Sequence, residues 1–326
     1  MTGGGDHGAP APAAETTGTT ADTAVDTVVD TVVDTAAETT GTAADTAAAE
    51  AAARSGVRIR ELHDIPDFER VVRVFDEIWH PEPHNPPITV ELMRALSHAG
   101  NYVAGAFDGD TLVGASVGFF AAPAGEALHS HVTGAVRRGA GFALKLHQRA
   151  WALRRGLRRI TWTFDPLVRR NAHFNLAKLG ALPEEYLPEF YGPMADAVNA
   201  DDESDRVLAV WRLDAPRVVR ACGFAPYLPE VPGDAVRGIS DEGGRPIARA
   251  VDGRVILVAV PEDVETLRHA DPGAAKAWRH AVREVLGGLM DGGARVTGFA
   301  GGHYVVLTAP GRPPGVTPGS AGVGGA

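Results

Sequence analysis

The stretch from Glu126 to Phe164 constrains the fold more than any other part of the chain. Its pattern predicts a strand over Glu126–Thr133, a glycine loop over 137–143, a helix, and a second strand over Arg158–Phe164. Residues 138–143 read Arg-Gly-Ala-Gly-Phe-Ala, which fits the spacing Arg-x-x-Gly-x-Gly/Ala. Glycines let successive backbone N–H groups crowd toward one point, and the following helix adds the positive end of its dipole. This loop is typical of a turn that binds a pyrophosphate.

Two other interpretations of the loop have to be weighed. An ordinary strand-to-helix turn also fits, because a chain with 39 glycines contains short glycine patterns by chance. A Rossmann fold would need the turn after its first strand and an acidic residue about 20 positions further on. Here the turn comes late in the order of elements, and arginines and aliphatic residues occupy that later position. We therefore reject the Rossmann interpretation.

The segment around the loop predicts a consistent order of elements. Asp64 and Thr89 are typical helix N-caps, and Asp108-Gly109 is typical of a hairpin between two strands. From residue 57 to 213 the predicted order is β-α-α-β-β-β-α-β-α-β. With the loop motif, this order resembles the GNAT (Gcn5-related N-acetyltransferase) superfamily. The resemblance implies an α/β (α+β) fold whose mixed, mostly antiparallel central sheet splays after the fourth strand.

A narrower resemblance rests on four segments. These are Ile160–Leu167 (Ile-Thr-Trp-Thr-Phe-Asp-Pro-Leu), Asn171–Gly180, Phe190-Tyr191-Gly192 and the region from Asp271 to Arg279. They are similar to a GNAT subfamily of predicted acyltransferases, some of them associated with N-succinylamino-acid racemases. That resemblance implies acetyl-CoA or succinyl-CoA as the donor and the amine of a small metabolite, such as an amino acid, as the acceptor. The link Gly134–Arg137 departs from the subfamily pattern, since it is about two residues shorter than the usual turn.

Composition divides the 326 residues into a body with two tails. The net charge of −10 lies mostly in residues 1–53, which hold nine acidic residues and no lysine or arginine. The body shows no charge bias that would attract nucleic acid. We predict a disordered acidic Ala/Thr-rich tail over 1–54, an acyl-CoA-binding catalytic domain over 55–216, an accessory α/β domain over 217–309 and a disordered Gly/Pro tail over 310–326.

Several functional classes are excluded by what the sequence lacks. The only cysteine, Cys222, permits no intramolecular disulfide and no cysteine-rich metal site. No apolar run reaches the roughly 18 residues that span a bilayer, and no secretory signal pattern opens the chain. We therefore expect a cytoplasmic protein with no membrane or nucleic-acid partner.

The resemblance assigns cofactor-binding roles to particular positions. Arg138, Gly139, Ala140, Gly141, Phe142 and Ala143 would hold the acyl-CoA pyrophosphate. Thr133 and Gly134 would present backbone N–H groups to the thioester carbonyl where the strands splay. Asn171, at the start of its predicted helix, would cap the backbone or hydrogen-bond the pantetheine arm.

Strand alternation suggests a proton acceptor. In the strand leading into the loop, His129 and His131 share one face with Thr133, and a histidine can take a proton near neutral pH. Each could equally be a hydrogen-bonded wall residue. A metal bound by both is not expected, because a third ligand at suitable spacing is missing.

The proton donor for the leaving thiolate is less clear. Many GNAT enzymes place a tyrosine four residues before the glycine that ends the helix after the fifth strand, and Leu176 stands there in this chain. Tyr191, in the Phe-Tyr-Gly turn, could take over this role or could be a structural turn residue.

Two classes of function therefore remain. The first is an acyl-CoA-dependent N-acyltransferase in which amine and thioester react directly in a ternary complex. The second is a catalytically weak or inactive CoA-binding scaffold with the same fold. The C-terminal region shows no catalytic constellation, and we expect it to close the acceptor site or to form a homodimer.

Overall fold

The computed structural model describes residues 41–81, 86–192, 202–250 and 252–308. The first element in that range is helix α1, residues 41–55. This differs from the predicted disordered tail, which was expected to run to residue 54. The segment is rich in alanine, the best helix former, and Ala44, Ala48 and Ala51 form a buried face against the core. Residues 1–40 and 309–326, where both tails were predicted, lie outside the described residues.

A seven-stranded sheet forms the first half of the fold, with the order β1-β2-β3-β4-β5-β7-β6. Its strands are β1 (Arg58–Glu61), β2 (Tyr102–Asp108), β3 (Thr111–Ala121), β4 (Ala127–Ala135), β5 (Arg159–Phe164), β6 (Leu182–Leu187) and β7 (Arg206–Arg212). Only β4 and β5 pair in parallel, and the other neighbours are antiparallel. The predicted mixed, mostly antiparallel α/β fold is confirmed.

Helices cover both faces of this first sheet. On one face lie α2 (Ile65–Trp79) and α3 (Val90–His98), capped as predicted by Asp64 and Thr89. Their apolar side chains, such as Phe68 and Met93, form a core with β2 and β3. On the other face lies α4 (Ala140–Leu153), whose Leu144 and Trp151 are fully buried. Residues of β4 therefore face two different helical layers.

The chain after β5 is a helix with a change of winding. Helix α5 (Arg169–Ala172) continues into a π-helical segment, His173–Lys178, that ends before Gly180. The sequence predicts one helix here and no strand after it, whereas β6 follows. Strand β6 is an edge strand, and an edge position tolerates its Pro183.

A five-stranded second sheet has the order β11-β12-β10-β8-β9. Its strands are β8 (Val236–Glu242), β9 (Arg245–Ala248), β10 (Val255–Ala259), β11 (Arg295–Ala300) and β12 (His303–Leu307). The helices of this half are α6 (Pro216–Cys222), α7 (Val264–Ala270), α8 (Pro272–Val282) and α9 (Gly288–Asp291), with a π-helical segment at Arg283–Gly287. Elements β8, β9 and α6 escape the sequence analysis, because their segments carry little periodic hydrophobicity. The domain boundary near residue 216 stays a prediction.

Candidate functional site

Strands β4 and β5 separate to form a cleft. They pair only from Ala127 with Arg159 to His129 with Thr161. Beyond that point β4 pairs with β3 alone and β5 with β7 alone. We call the opening between the two strands the β4–β5 cleft. The splay after the fourth strand lies where the sequence predicts it.

A β-bulge interrupts β4 inside this cleft. Val132 pairs with Val117 and Ser130 pairs with Gly118, which leaves His131 without a partner on β3. A bulge shifts the alternation of side chains by one residue. His129 and His131 share a face as predicted, with Phe119 ring centroids 5.2 and 6.0 Å from theirs. The prediction that Thr133 shares this face is wrong: its hydroxyl lies 2.7 Å from that of Ser116, which contacts Gln148 of α4 on the opposite face.

His131 has one ring nitrogen engaged. Its Nε2 lies 3.2 Å from the Pro87 carbonyl oxygen, in the connection between α2 and α3. A carbonyl oxygen can only accept, so Nε2 carries the hydrogen and Nδ1 of the neutral ring keeps its lone pair. The side chain is exposed. His131 can therefore accept a proton at Nδ1.

His129 is held in the wall of the cleft. Its Nδ1 lies 3.1 Å from the Thr161 hydroxyl. Burial, together with the nearby His131 and Lys145, lowers its pKa from 6.5 to about 4. The ring is therefore neutral at pH 7 but a weak proton acceptor. This environment suits a hydrogen-bonding wall residue better than a general base.

Tyr191 reaches the same face of the sheet from the other side of the cleft. Its hydroxyl lies 2.9 Å from that of Thr163 on β5. Thr161 and Thr163 are two residues apart on one strand and so share a face, about 7 Å apart. The three residues predicted as catalytic thus lie on one face of the splayed strands. Their roles stay predictions.

A cavity of about 700 Å³ lies at the glycine loop. We call it the loop cavity. Four of its lining residues are cationic, and none of the described lining residues is acidic: Arg54, Arg137, Arg138 and Lys178 carry the charge. Arg137 is fixed by the Ser55 carbonyl, 2.8 Å from its Nε, and by Asp108. Arg138 is exposed and forms no ion pair with a carboxylate of the described residues.

The two glycines of the loop have different structural roles. Gly139 is the N-cap of α4 with φ of 89°, a left-handed conformation that favours glycine. A Cβ at Gly141 would meet nothing within 4 Å, so the space beside its backbone is open to a ligand. Phe142 lines the cavity and packs on Phe224, with ring centroids 5.8 Å apart.

Four other predicted cofactor residues do not line the loop cavity. The side chains of Ala140 and Ala143 are fully buried in the core, so only their backbone could meet a ligand. A Cβ at Gly134 would lie 2.5 Å from the Trp79 ring, which explains the glycine by packing. Asn171 is exposed on α5 and is not among the described residues that line the cavity.

Helix α1 contributes cavity residues that the sequence analysis missed. Ala51, Arg54 and Ser55 line the cavity, and the Arg54 guanidinium stacks 4.0 Å above the Phe224 ring centroid. The signal that could have found them was the run of alanines with Glu50 and Arg54 at i,i+4 spacing, a pair that stabilises helices.

A buried lysine beneath the cleft was also missed. Lys145 of α4 donates from Nζ to Ser130 Oγ at 2.8 Å and lies 4.1 Å from the Trp162 ring centroid. No carboxylate of the described residues pairs with it, and burial lowers its pKa to about 7. Gln148 lies 3.5 Å from Nζ and donates to Ser116, so a polar network joins Ser130 to Thr133 on either side of the bulge.

The described residues contain no cluster of three or more His, Cys, Asp or Glu side chains that could hold a metal ion. None of the helices in the described ranges is both long and apolar enough to cross a membrane.

Comparisons with known proteins give only partial structural matches. No protein-family model and no curated protein sequence match the chain. Ard1 from Thermoplasma volcanium aligns at 17% identity and a TM-score of 0.38, covering 48% of this chain and 96% of its own. The type Ii aminoglycoside 6′-acetyltransferase aligns at 17% identity and a TM-score of 0.40, covering 48% of this chain and 98% of its own. The ribosomal-protein-S18-alanine N-acetyltransferase from Escherichia coli aligns at 10% identity and a TM-score of 0.39, covering 49% of this chain and 95% of its own. The geometry of the β4–β5 cleft and the loop cavity therefore carries the functional conclusion.

Proposed function

We propose that the protein is an acyl-CoA-dependent N-acyltransferase that transfers an acetyl or succinyl-type group to the amine of a small metabolite. One observation carries this proposal. A cationic cavity at the N-terminus of α4 adjoins the end of a splayed strand that presents His129 and His131. Cations and helix N-terminal N–H groups bind phosphates, while a splayed strand offers unpaired backbone N–H groups to a thioester.

The loop cavity suits the nucleotide end of an acyl-CoA. Arg138, Lys178 and Arg54 supply positive charge, and the backbone at Gly139 and Gly141 can be approached closely. The thioester would lie in the β4–β5 cleft beside the bulge. The succinyl donor and amino-acid acceptor follow only from the resemblance to the racemase-associated subfamily.

The reaction needs two proton movements. The acceptor nitrogen forms a bond to the thioester carbonyl carbon, the carbon–sulfur bond breaks, and the amine loses a proton while the thiolate gains one. His131 is proposed to take the amine proton at Nδ1. Tyr191, whose hydroxyl is held by Thr163, is the proposed donor to the thiolate, since the buried Leu176 has no hydroxyl.

Lys145 is proposed as a positioning residue for the bulge. Lys145→Met removes the contact with Ser130, so we expect kcat to fall about 10–100-fold through misplacement of β4. The same change should raise the free energy of unfolding at pH 7 by roughly 1–4 kcal/mol, because a buried amine with no carboxylate partner is removed. Since the folded pKa lies below 10.5, the unfolded state binds the extra proton between pH 7 and 10.5. The stability gain should therefore vanish above pH 10.5.

Steady-state kinetics and urea unfolding of Lys145→Met check this prediction. The exposed Lys276 of α8 provides the control, and Lys276→Met should change neither quantity. An unchanged kcat in Lys145→Met would show that the lysine does not position the bulge for catalysis and only packs in the core.

A second candidate function is a CoA-binding scaffold without turnover. The observation that favours it is the fully buried Leu176 at the position where many GNAT enzymes have the catalytic tyrosine. A thiolate is a good leaving group, so the absence of this tyrosine does not prevent turnover. The second sheet is proposed to close the acceptor side of the cleft or to form a homodimer, and the protein to act in the cytoplasm.

Release of free CoA thiol from acetyl-CoA and succinyl-CoA, measured against a panel of amino acids, separates the two functions. An N-acyltransferase gives thiol release that depends on the acceptor amine, with the acylated amine found by mass spectrometry. A scaffold binds the thioester but gives no acceptor-dependent release with any amine tested.

A further inference from the structure

A second cavity, of about 210 Å³, lies at the junction of the two sheets. We call it the junction cavity. One wall is Arg169, which opens α5 directly after the first sheet's β5. The floor is the end of β10, at Ala259 and Val260, beside the parallel neighbour β8. It shares no lining residue with the loop cavity.

Three basic side chains converge on this space. Arg169, Arg237 of β8 and His303 of β12 all line the cavity. Burial lowers the pKa of His303, the hydrogen bond to the Gly301 carbonyl raises it, and the charges of Arg237 and Arg169 lower it. No carboxylate of the described residues forms an ion pair with Arg169 or Arg237. The two guanidinium charges repel each other unless an anion lies between them.

The described lining also contains one acidic residue, Asp241. Its Oδ1 accepts the Gly244 N–H at 2.8 Å and closes the turn between β8 and β9. Asp241 forms no ion pair with either arginine. The two guanidinium charges therefore leave the cavity with a net positive charge, and the charge pattern favours an anionic ligand.

The turn between β11 and β12 contacts Arg169 and His303. Gly302 has φ of 82°, and a Cβ at this residue would lie 2.5 Å from Arg169 Nη2. The positive φ favours glycine at this turn, and the Arg169 guanidinium lies directly against its backbone. His303 Nδ1 lies 2.8 Å from the Gly301 carbonyl, so Nδ1 carries the hydrogen. Nε2 of the neutral ring is an acceptor, so the two arginines supply the donors for an anion.

We propose that the junction cavity binds a small oxyanion, a carboxylate or phosphate group, between Arg169 and Arg237, with the His303 ring beside it. Planar guanidinium groups match the oxygens of both chemistries. The site is separate from acyl transfer and does not rest on the proposed function. A bound anion would link the start of α5 in the first half of the fold to β8 in the second sheet.

Isothermal titration calorimetry with inorganic phosphate and with succinate tests the proposal, and succinamide is the neutral probe. Arg237→Ala should weaken binding of the anion by about tenfold or more, since it removes a charge-assisted contact. Arg254→Ala is the matched control, because Arg254 is an exposed arginine immediately before β10 that does not line the cavity. It should leave binding unchanged.

The outcomes divide clearly. Tighter binding of phosphate assigns the ligand to phosphate esters, and tighter binding of succinate assigns it to dicarboxylates; either supports the site. No binding of either anion, equal loss in both variants, or equal binding of succinamide overturns it. Loss of the stabilisation by acyl-CoA in Arg237→Ala would also overturn it, because the cavity would then belong to the donor site.

Discussion

His131→Ala is expected to lower kcat by about 10²–10⁴-fold, the range for losing a general base. The imidazole is exposed in the β4–β5 cleft, and its Nε2 is oriented by the Pro87 carbonyl, so Nδ1 is the proposed proton acceptor. The bulge leaves His131 unpaired on β3, and alanine should be tolerated there without unfolding. Steady-state kinetics with the best donor and acceptor measure the effect.

His98→Ala serves as the control for this prediction. His98 is exposed in the last turn of α3 and forms no side-chain hydrogen bond with a described residue. Added imidazole should restore part of the activity of His131→Ala by filling the space left in the cleft. A His131→Ala enzyme with wild-type kcat would show that another group, or no group, takes the amine proton.

Asp165→Asn is expected to lower the free energy of unfolding by about 3–5 kcal/mol. Asp165 is buried and accepts from Arg279 Nη1 and Nη2 at 2.8 Å and from Arg268 Nη2 at 2.6 Å. Arg268 and Arg279 are buried as well, and Asp202 is the other carboxylate that both contact. Asparagine keeps the shape but leaves two buried guanidinium groups with half of their compensating charge.

The effect should depend on pH in a defined direction. Burial alone would raise the pKa of Asp165, but the charges of Arg279 and Arg268 hold it well below its usual range. The stabilisation is therefore fully present above the unfolded pKa of 3.8 and is lost as the pH falls through the lower folded value. Wild type and Asp165→Asn should differ most at neutral pH and converge in acid.

Urea unfolding at pH 7 measures this difference. The control is Glu184→Gln, which breaks the exposed pair with Arg212 (3.0 Å) and should cost no more than about 1 kcal/mol. Equal destabilisation by the two changes would contradict the importance given to the buried cluster. This cluster joins β5 of the first sheet to α7 and α8 beside the second.

Much of the fold follows from local sequence signals. Alternating apolar residues, the Asp64 and Thr89 caps and the Asp108-Gly109 hairpin each predict an element that the structure contains. Strands such as β6 and β9 are not predicted by local signals, because their short, polar segments form strands only through pairing with a neighbour. The π-helical turn of residues 173–178 has no pattern distinct from that of an α-helix.

Some features of the candidate site are likewise predicted by local sequence patterns, and others are not. The loop and the two histidines are visible in sequence, since both are local patterns. The bulge at His131, the burial of Lys145 and the return of Arg54 to the loop cavity depend on pairing and packing between distant segments. No spacing rule along the chain encodes such contacts, and so the side-chain facing of Thr133 was predicted wrongly.

Thermal stability with a panel of CoA thioesters tests the central claim most directly. At 100 times its Kd, a bound thioester should add about 2.7 kcal/mol to the stability and raise Tm clearly. Gly141→Val is the matched variant: its side chain has room in the free protein but would occupy the space of the phosphates. We predict that acetyl-CoA or succinyl-CoA raises the Tm of the wild type but not that of Gly141→Val, whose Tm without ligand stays at the wild-type value. A folded protein whose Tm no thioester changes would contradict it, and the loop would then be an ordinary turn.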